Sequence, residues 1–215
     1  MLNKTTGNAP RGSEMLEAQI SRNLLFMTAP PQGRTAATET ADAPQTSRTA
    51  TLVAAVAGGD RDAFGQLYEL YSSMVHGILL ARVPYAEVSD LVQDVFLIAF
   101  KKLPTLREAS SFGPWLAMIA RNRAMDFHRR SRETEELSEE LARAATPHAE
   151  ASEALEAIRS LPEAYRETLV LRLVEGMTGP EIAAQTGLQP DSVRVNLHRG
   201  MKLLREKLGV GGGRQ

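Results

Sequence analysis

An all-α fold follows from three features of the chain. Ala, Leu, Glu and Arg are plentiful while β-branched alternation is scarce, a balance that favours helices over strands. Apolar residues recur at intervals of three and four through residues 51–132 and again through 151–208, the spacing of helices with one buried face. Between those runs the chain turns acidic and carries the helix breaker Pro147, so the helices fall into two groups. The expected architecture is two small helical domains, an N-terminal bundle at 51–132 and a C-terminal four-helix domain with a helix-turn-helix at 151–208. A flexible acidic linker at 133–150 joins them, residues 1–50 form a disordered extension, and 209–215 form a flexible tail.

Composition narrows the chemistry. The 215 residues hold 25 basic and 26 acidic side chains, so any charge that matters is local. Absence of cysteine removes disulfides, thiolate metal sites and a cysteine nucleophile, in keeping with a reducing cytosol. His76, His128, His148 and His198 show no metal-ligand spacing, and no Ser/His/Asp set or carboxylate pair assembles an enzyme active site. Neither a metal nor another cofactor is expected. No apolar run approaches the roughly 18 to 20 residues that span a bilayer, so the protein is expected in the cytoplasm.

The extension is rich in Thr, Ala, Pro, Gly and Ser, and such composition does not build a core. Within it Leu16, Ile20, Leu24 and Met27 recur at helical spacing, enough for one short amphipathic helix over Glu14–Met27. Order is expected from Thr51. Asp60 is placed to cap the next helix, whose stripe is Ala63, Phe64, Leu67, Tyr68 and Tyr71. The following helix, Tyr85 to Leu103, is apolar round most of its circumference, with Leu91, Val92, Val95, Phe96, Ala99 and Phe100 expected to be buried. Asp90, Gln93, Asp94, Leu97 and Lys101 share its remaining face. A leucine among acids and amides marks either a contact patch or a merely solvated side.

The segment PTLREASSFGP reads as a loop, and a helix is expected from Pro114 with Trp115, Leu116, Ile119, Ala120 and Met125 packing and Arg121, Arg123, Arg129, Arg130 and Arg132 extending outward. From Lys101 to Arg132 eight Lys or Arg face two Asp or Glu, a local net of plus six. Beside Phe112, Trp115, Phe127 and His128 this basic stretch offers phosphate contacts and flat rings for unpaired bases, although Trp115 itself is better placed in the core. The sign then reverses: Glu133 to Glu163 holds nine acidic residues against two basic ones.

Helical period returns at residue 151, first with Ala154, Leu155, Ile158 and Leu161, then after Pro162 with Tyr165, Leu169, Val170, Leu173 and Val174. Gly176 ends that helix. Pro180 suits the first turn of the next, Gly187 supplies a turn, and Pro190 opens a last helix whose apolar face is Val193, Leu197, Met201, Leu204 and Leu208. Ser192, Arg194, Val195, Asn196 and Arg199 lie elsewhere on it. A major groove can be read by such a set: Arg forks onto guanine, Asn onto adenine, Ser bonds either, and a Val methyl meets the thymine methyl. An ordinary helical hairpin with solvated charges is the plainer alternative.

Three motifs in this order carry a resemblance: GDRDAFGQLYELY at 59–71, DLVQDVFLIAFKKL with FGPWLAMIARNRAMDFHRR at 90–130, and residues 161–208 from LPEAYRETLV to MKLLREKL. Together they resemble the extracytoplasmic-function group of bacterial RNA polymerase sigma factors, in the sigma-70 family. The resemblance implies two helical domains bridging core polymerase and promoter DNA, duplex and melted, with no catalysis of their own. It implies that Asp90, Gln93, Asp94 and Leu97 bind the coiled-coil clamp of the largest polymerase subunit. Arg121, Asn122, Asp126, Arg129 and Arg130, with loop 104–113, would open the downstream promoter element and capture a flipped base, Trp115 being structural. Ser192, Arg194, Val195, Asn196 and Arg199 would read the upstream element. The family usually has a small polar and a basic residue where this chain has Val195 and Asn196, so its upstream preference is expected to differ. Many relatives are restrained by an anti-sigma protein. The rival reading is a helix-turn-helix regulator that binds duplex DNA without core polymerase, which has no reason to carry residues 90–130.

Overall fold

The computed structural model describes residues 42–137 and 153–209, with side chains placed over 46–132 and 153–209. Among them are eight α-helices: α1 (Asp42–Ala57), α2 (Arg61–Leu80), α3 (Tyr85–Lys102), α4 (Phe112–Leu137), α5 (Glu153–Arg159), α6 (Glu163–Leu173), α7 (Gly179–Thr186) and α8 (Pro190–Lys207). Two short 3-10 turns, Leu103–Thr105 and Ala109–Ser111, link α3 to α4. The helix expected over Glu14–Met27 lies outside the described residues.

Helix α1 starts at Asp42, well before the expected Thr51. Tertiary contact overrides the turn-like composition there: Thr49 is buried with its hydroxyl 2.9 Å from the Tyr71 hydroxyl, and Leu52 and Val53 are buried beyond it. Asp60 caps α2 as expected, its carboxylate accepting from the backbone N–H of Asp62 and of Ala63. The buried face of α2 is Ala63, Leu67, Tyr71, Met74, Val75, Ile78 and Leu79. Along α3, Val88, Leu91, Val92, Val95, Phe96 and Ala99 are buried against α2 and α4. Phe100 departs from expectation at 44% exposed, and Tyr68 at 41%. A helix apolar on most of its surface has more greasy side than two neighbours cover, so one flank stays open.

Phe112, fully buried, starts α4 two residues before Pro114 and sits between Tyr71 and Trp115, with ring centroids 5.2 and 5.8 Å away. Trp115, expected in the core, is half-buried against it. Met125 was expected to pack but is 62% exposed, because it falls on the stripe Met118, Asn122, Met125 and Arg129, spaced by three and four on the outer side of α4. At its end α4 runs through Leu137, taking in residues 133–137 that were assigned to the linker; the run RETEEL is rich in helix formers. Residues 138–152 and 210–215 lie outside the described part.

The second half contributes Leu155, Ile158, Leu169, Leu171, Ile182, Val193, Met201 and Leu204 to a hydrophobic cluster that runs through both halves. Thr178 and Glu181 form a reciprocal capping box at the start of α7, and Gly187 ends it in the left-handed conformation at φ 76°. Expected as bodies strung on a tether, the two halves in fact pack together, α6 and α7 lying against α2 and α4. Close approach is made by small residues: a Cβ on Gly77 would come within 2.7 Å of Leu171, and one on Gly113 within 2.9 Å of the Gln185 carbonyl oxygen.

Candidate functional site

Three surfaces collect the residues singled out in the sequence. On α3, Asp90 and Gln93 are exposed and Leu97 is 57% exposed. Leu97 is not alone. With Arg61, Phe64, Tyr68, Phe96 and Phe100 it lines an apolar groove of about 500 Å³ between α2 and α3, bordered by Gln93. Phe64 stacks edge-on against Phe100 at 4.9 Å, and Tyr68 lies 4.6 Å from Phe96. Pattern reading assigned these aromatics to the core; their i, i+4 pairing across two adjacent helices is the sequence sign of a joint patch. Asp94, by contrast, is engaged: Arg123 of α4 donates to it from Nε at 3.1 Å and Nη2 at 2.5 Å. That pair ties α3 to α4 and takes Arg123 out of the outward set.

The second surface is α4. Asn122, Arg129 and Arg130 are exposed, and Arg129 donates to Asp126 at 3.0 Å one turn away. Arg82, Ala124, Met125, His128, Arg129, Arg132, Glu163 and Arg166 line a cleft of about 650 Å³ beside it, five of the eight basic or imidazole-bearing. His128 is held there by a 2.8 Å hydrogen bond between Nε2 and the Arg82 carbonyl. Arg121 faces a different way from its expected partners. Its Nε and Nη2 donate to the two oxygens of Glu167 on α6, at 3.1 and 2.7 Å, and Arg82 Nη2 reaches the same carboxylate at 2.7 Å. Glu167 is only 5% exposed. Burial pushes its pKa up, but the Arg121 hydrogen bonds and the charges of Arg82 and Arg121 outweigh that and hold the carboxyl below the ordinary glutamate value.

Neither Arg82 nor Glu167 was singled out in the sequence. The one sign was a carboxylate spaced three and four residues from buried Val170 and Leu171. Elsewhere along the same contact, Arg159 donates to the Leu80 and Val83 carbonyls at 2.8 and 2.6 Å, capping the end of α2, and His76 Nδ1 lies 2.6 Å from a Glu175 oxygen. Burial lowers the Arg159 pKa from its usual value against the opposing charge of Glu156, and a guanidinium stays charged regardless.

The third surface is the start of α8. Ser192, Arg194, Val195 and Arg199 are exposed and Asn196 is half-buried, while Val193, Met201 and Leu204 anchor the opposite face in the core. Among the described residues Arg194 pairs with Asp191, at 3.3 Å, and both side chains are open to solvent. Among the described residues no cluster of His, Asp or Glu is placed to hold a metal, and no helix is long and apolar enough to cross a membrane.

Known proteins match these same segments. Sigma-70 region 2 matches residues 67–134 and sigma-70 region 4 matches residues 151–204. The chain is 33% identical over 160 residues to RNA polymerase sigma factor CarQ of Myxococcus xanthus, covering 70% of this chain and 92% of that protein. ECF RNA polymerase sigma factor SigD of Mycobacterium tuberculosis is 32% identical over 187 residues, covering 78% of this chain and 87% of SigD. In three dimensions the chain is similar to CnrH, solved in complex with the cytosolic domain of CnrY, at 25% identity and a TM-score of 0.54 over 77% of this chain and 99% of CnrH. Fold and comparisons thus define a helical transcription protein with a sigma-70 region 2 half and a sigma-70 region 4 half. The chain belongs to the extracytoplasmic-function group of the sigma-70 family of RNA polymerase sigma factors. It directs core polymerase to promoters and begins transcription by recognising their upstream and downstream elements.

Proposed function

We propose that the three surfaces divide the work of initiation among named residues. Asp90, Gln93 and Leu97, continued by Tyr68 and Phe100, form the face that binds the coiled-coil clamp of core polymerase, and Asp94 braces it from behind through Arg123. Asn122, Arg129 and Arg130 on α4, with Arg121 and Asp126, hold the melted downstream strand. Unstacking a base costs a few kcal/mol, which contacts on the exposed Met118, Asn122 and Met125 stripe and phosphate grips by the neighbouring arginines offset. Ser192, Arg194, Val195, Asn196 and Arg199 read the upstream element in the major groove. No step requires chemistry from the chain itself, and the work takes place in the cytoplasm, where core polymerase and promoter are. As CnrH is held by the cytosolic domain of CnrY, an inhibitory protein is proposed to hold this chain until its signal arrives.

The observation that carries this division is an apolar groove between α2 and α3, edged by Arg61 and Gln93, with the arginine-bearing helix α4 packed against α3. Leu97→Asp tests it. Leu97 is exposed in the free protein, so the fold tolerates the change, while docking that buries it contributes about 1.5 to 3 kcal/mol. Core-polymerase binding should weaken by about tenfold or more, and Asp90→Ala with Gln93→Ala should add to the loss. Binding within twofold of the parent by both folded variants would remove α3 from the polymerase interface.

A further inference from the structure

On the strand-handling helix, Arg121 is engaged by a carboxylate from the other half of the molecule. Its planar fork takes both oxygens of Glu167, the geometry by which guanidinium groups also grip phosphate. Arg82, from the end of α2, closes the other side of that carboxylate at 2.7 Å. Two fixed positive charges surround one negative charge. Beyond Glu167 the nearest acid is the exposed Glu163, 4.0 Å from Arg82, and the site opens onto the cleft where His128, Arg129, Arg132 and Arg166 continue the positive surface. Glu167 comes from the other half of the molecule, on α6, and the Arg121 Nη2 also leans on the Thr186 carbonyl of α7 at 3.4 Å. If α6 and α7 leave, both guanidiniums lose Glu167, and Arg82 also loses the exposed Glu163 at 4.0 Å, while buried surface around them becomes open to ligand.

We propose that Arg82 and Arg121 form a binding site for a backbone phosphate of the melted promoter strand, and that Glu167 fills it in the free protein as a stand-in for that phosphate. Closure of the two halves and binding of single-stranded DNA then exclude each other. The inference rests on the reading of α4 as the strand-handling helix and adds Arg82, which the sequence did not mark, as a phosphate ligand. It also assigns Glu167 a role that a structural ion pair alone would not have: competition with nucleic acid. The Arg159 bonds to the end of α2 and the His76–Glu175 contact lie along the same seam, so they hold the halves together without covering the arginine pair.

The test uses the full chain, which contains no native cysteine, labelled with a donor and acceptor pair at Gln66→Cys on α2 and Glu206→Cys on α8. Titration with a fluorescently silent single-stranded oligodeoxynucleotide should lower energy transfer as DNA binds; binding with unchanged transfer overturns the proposal without any change at the site. Glu167→Gln should lower transfer before DNA is added and tighten binding of the oligonucleotide by about tenfold. Arg82→Gln should also lower transfer, yet bind no more tightly than the parent and lose about one unit of salt slope, as removal of one phosphate contact requires. Glu167→Gln binding DNA within twofold of the parent, or Arg82→Gln tightening as much as Glu167→Gln does, overturns it. Asn122→Ala with Arg129→Ala, placed in the Glu167→Gln background, separates the two levels. Undiminished DNA binding there removes the reading of α4 and the phosphate site together, whereas weakened binding with no response to Glu167→Gln alone removes only the competition.

Discussion

Arg194 stands at the solvent end of the recognition surface, paired among the described residues with Asp191, one turn before it at 3.3 Å. An exposed pair of this kind adds little to stability, so the residue is free to be exchanged without cost to the fold. In the proposed reading it forks onto a base edge. Arg194→Ala is then expected to weaken binding to a promoter's upstream element by about 1 to 3 kcal/mol, with nonspecific duplex affinity much less affected. Competition binding on cognate and scrambled duplexes checks it, and an equal loss on both would move Arg194 from base to phosphate. Its exposed position was legible in the sequence because α8 is long and regular, with Val193, Met201 and Leu204 buried opposite. Arg121 and Arg123 were not: both read as outward charges on α4, and both are engaged by carboxylates on other helices. Periodicity tells which side of a helix is polar, but not which polar side chains find a distant partner.

At the scale of elements, the turn between α7 and α8 sets the angle at which the recognition helix is presented. Gly187 carries it at φ 76°, where a Cβ would also meet Pro114 of α4 at 2.9 Å. Left-handed backbone alone costs an ordinary residue roughly 1 to 2 kcal/mol, and the contact with a proline ring adds to that. Gly187→Ala is accordingly expected to destabilise the protein by about 2 kcal/mol or more, seen as a lower Tm with helical content unchanged at room temperature. An unaltered Tm would mean the turn is not under this constraint. The helices themselves were mostly legible, since Asp60 caps α2, Pro162, Pro180 and Pro190 stand at or within the first turns of α6, α7 and α8, and Gly187 ends α7 in the left-handed conformation. What composition hid was α1: its first residues resemble a linker and become helical because Thr49, Leu52 and Val53 have a surface to pack on. The open aromatic groove was hidden for the converse reason. Phe64, Tyr68, Leu97 and Phe100 have core-like character, and nothing local distinguishes a residue buried by its own chain from one reserved for a partner.

The whole molecule depends on a seam no single segment announces. Small residues admit α6 and α7 against α2 and α4, and the one buried carboxylate in that contact, Glu167, belongs to one half while Arg82 and Arg121 belong to the other. Removing one partner from such a buried set typically costs about 3 to 5 kcal/mol, and protonation is a reversible way of doing so. Glu167 is held below its ordinary value of 4.5 when the halves are closed and relaxes toward that value when they part. Closure is therefore favoured in full above that ordinary value, and the contribution is lost as pH falls through the depressed pKa. The groups facing Glu167 keep their charge across this window, since Arg82 and Arg121 are guanidiniums; Glu163, 4.0 Å from Arg82, and the His76–Glu175 contact farther along the seam are the other titratable neighbours. Energy transfer between the halves should hold steady from pH 7 to about 5 and fall below the ordinary glutamate value, while far-UV helicity persists. In Glu167→Gln the acid-dependent part of that fall should be much smaller, because an amide does not titrate and the remaining neighbours are unchanged. A parent and a variant that lose transfer in parallel would detach the acid sensitivity of the seam from Glu167.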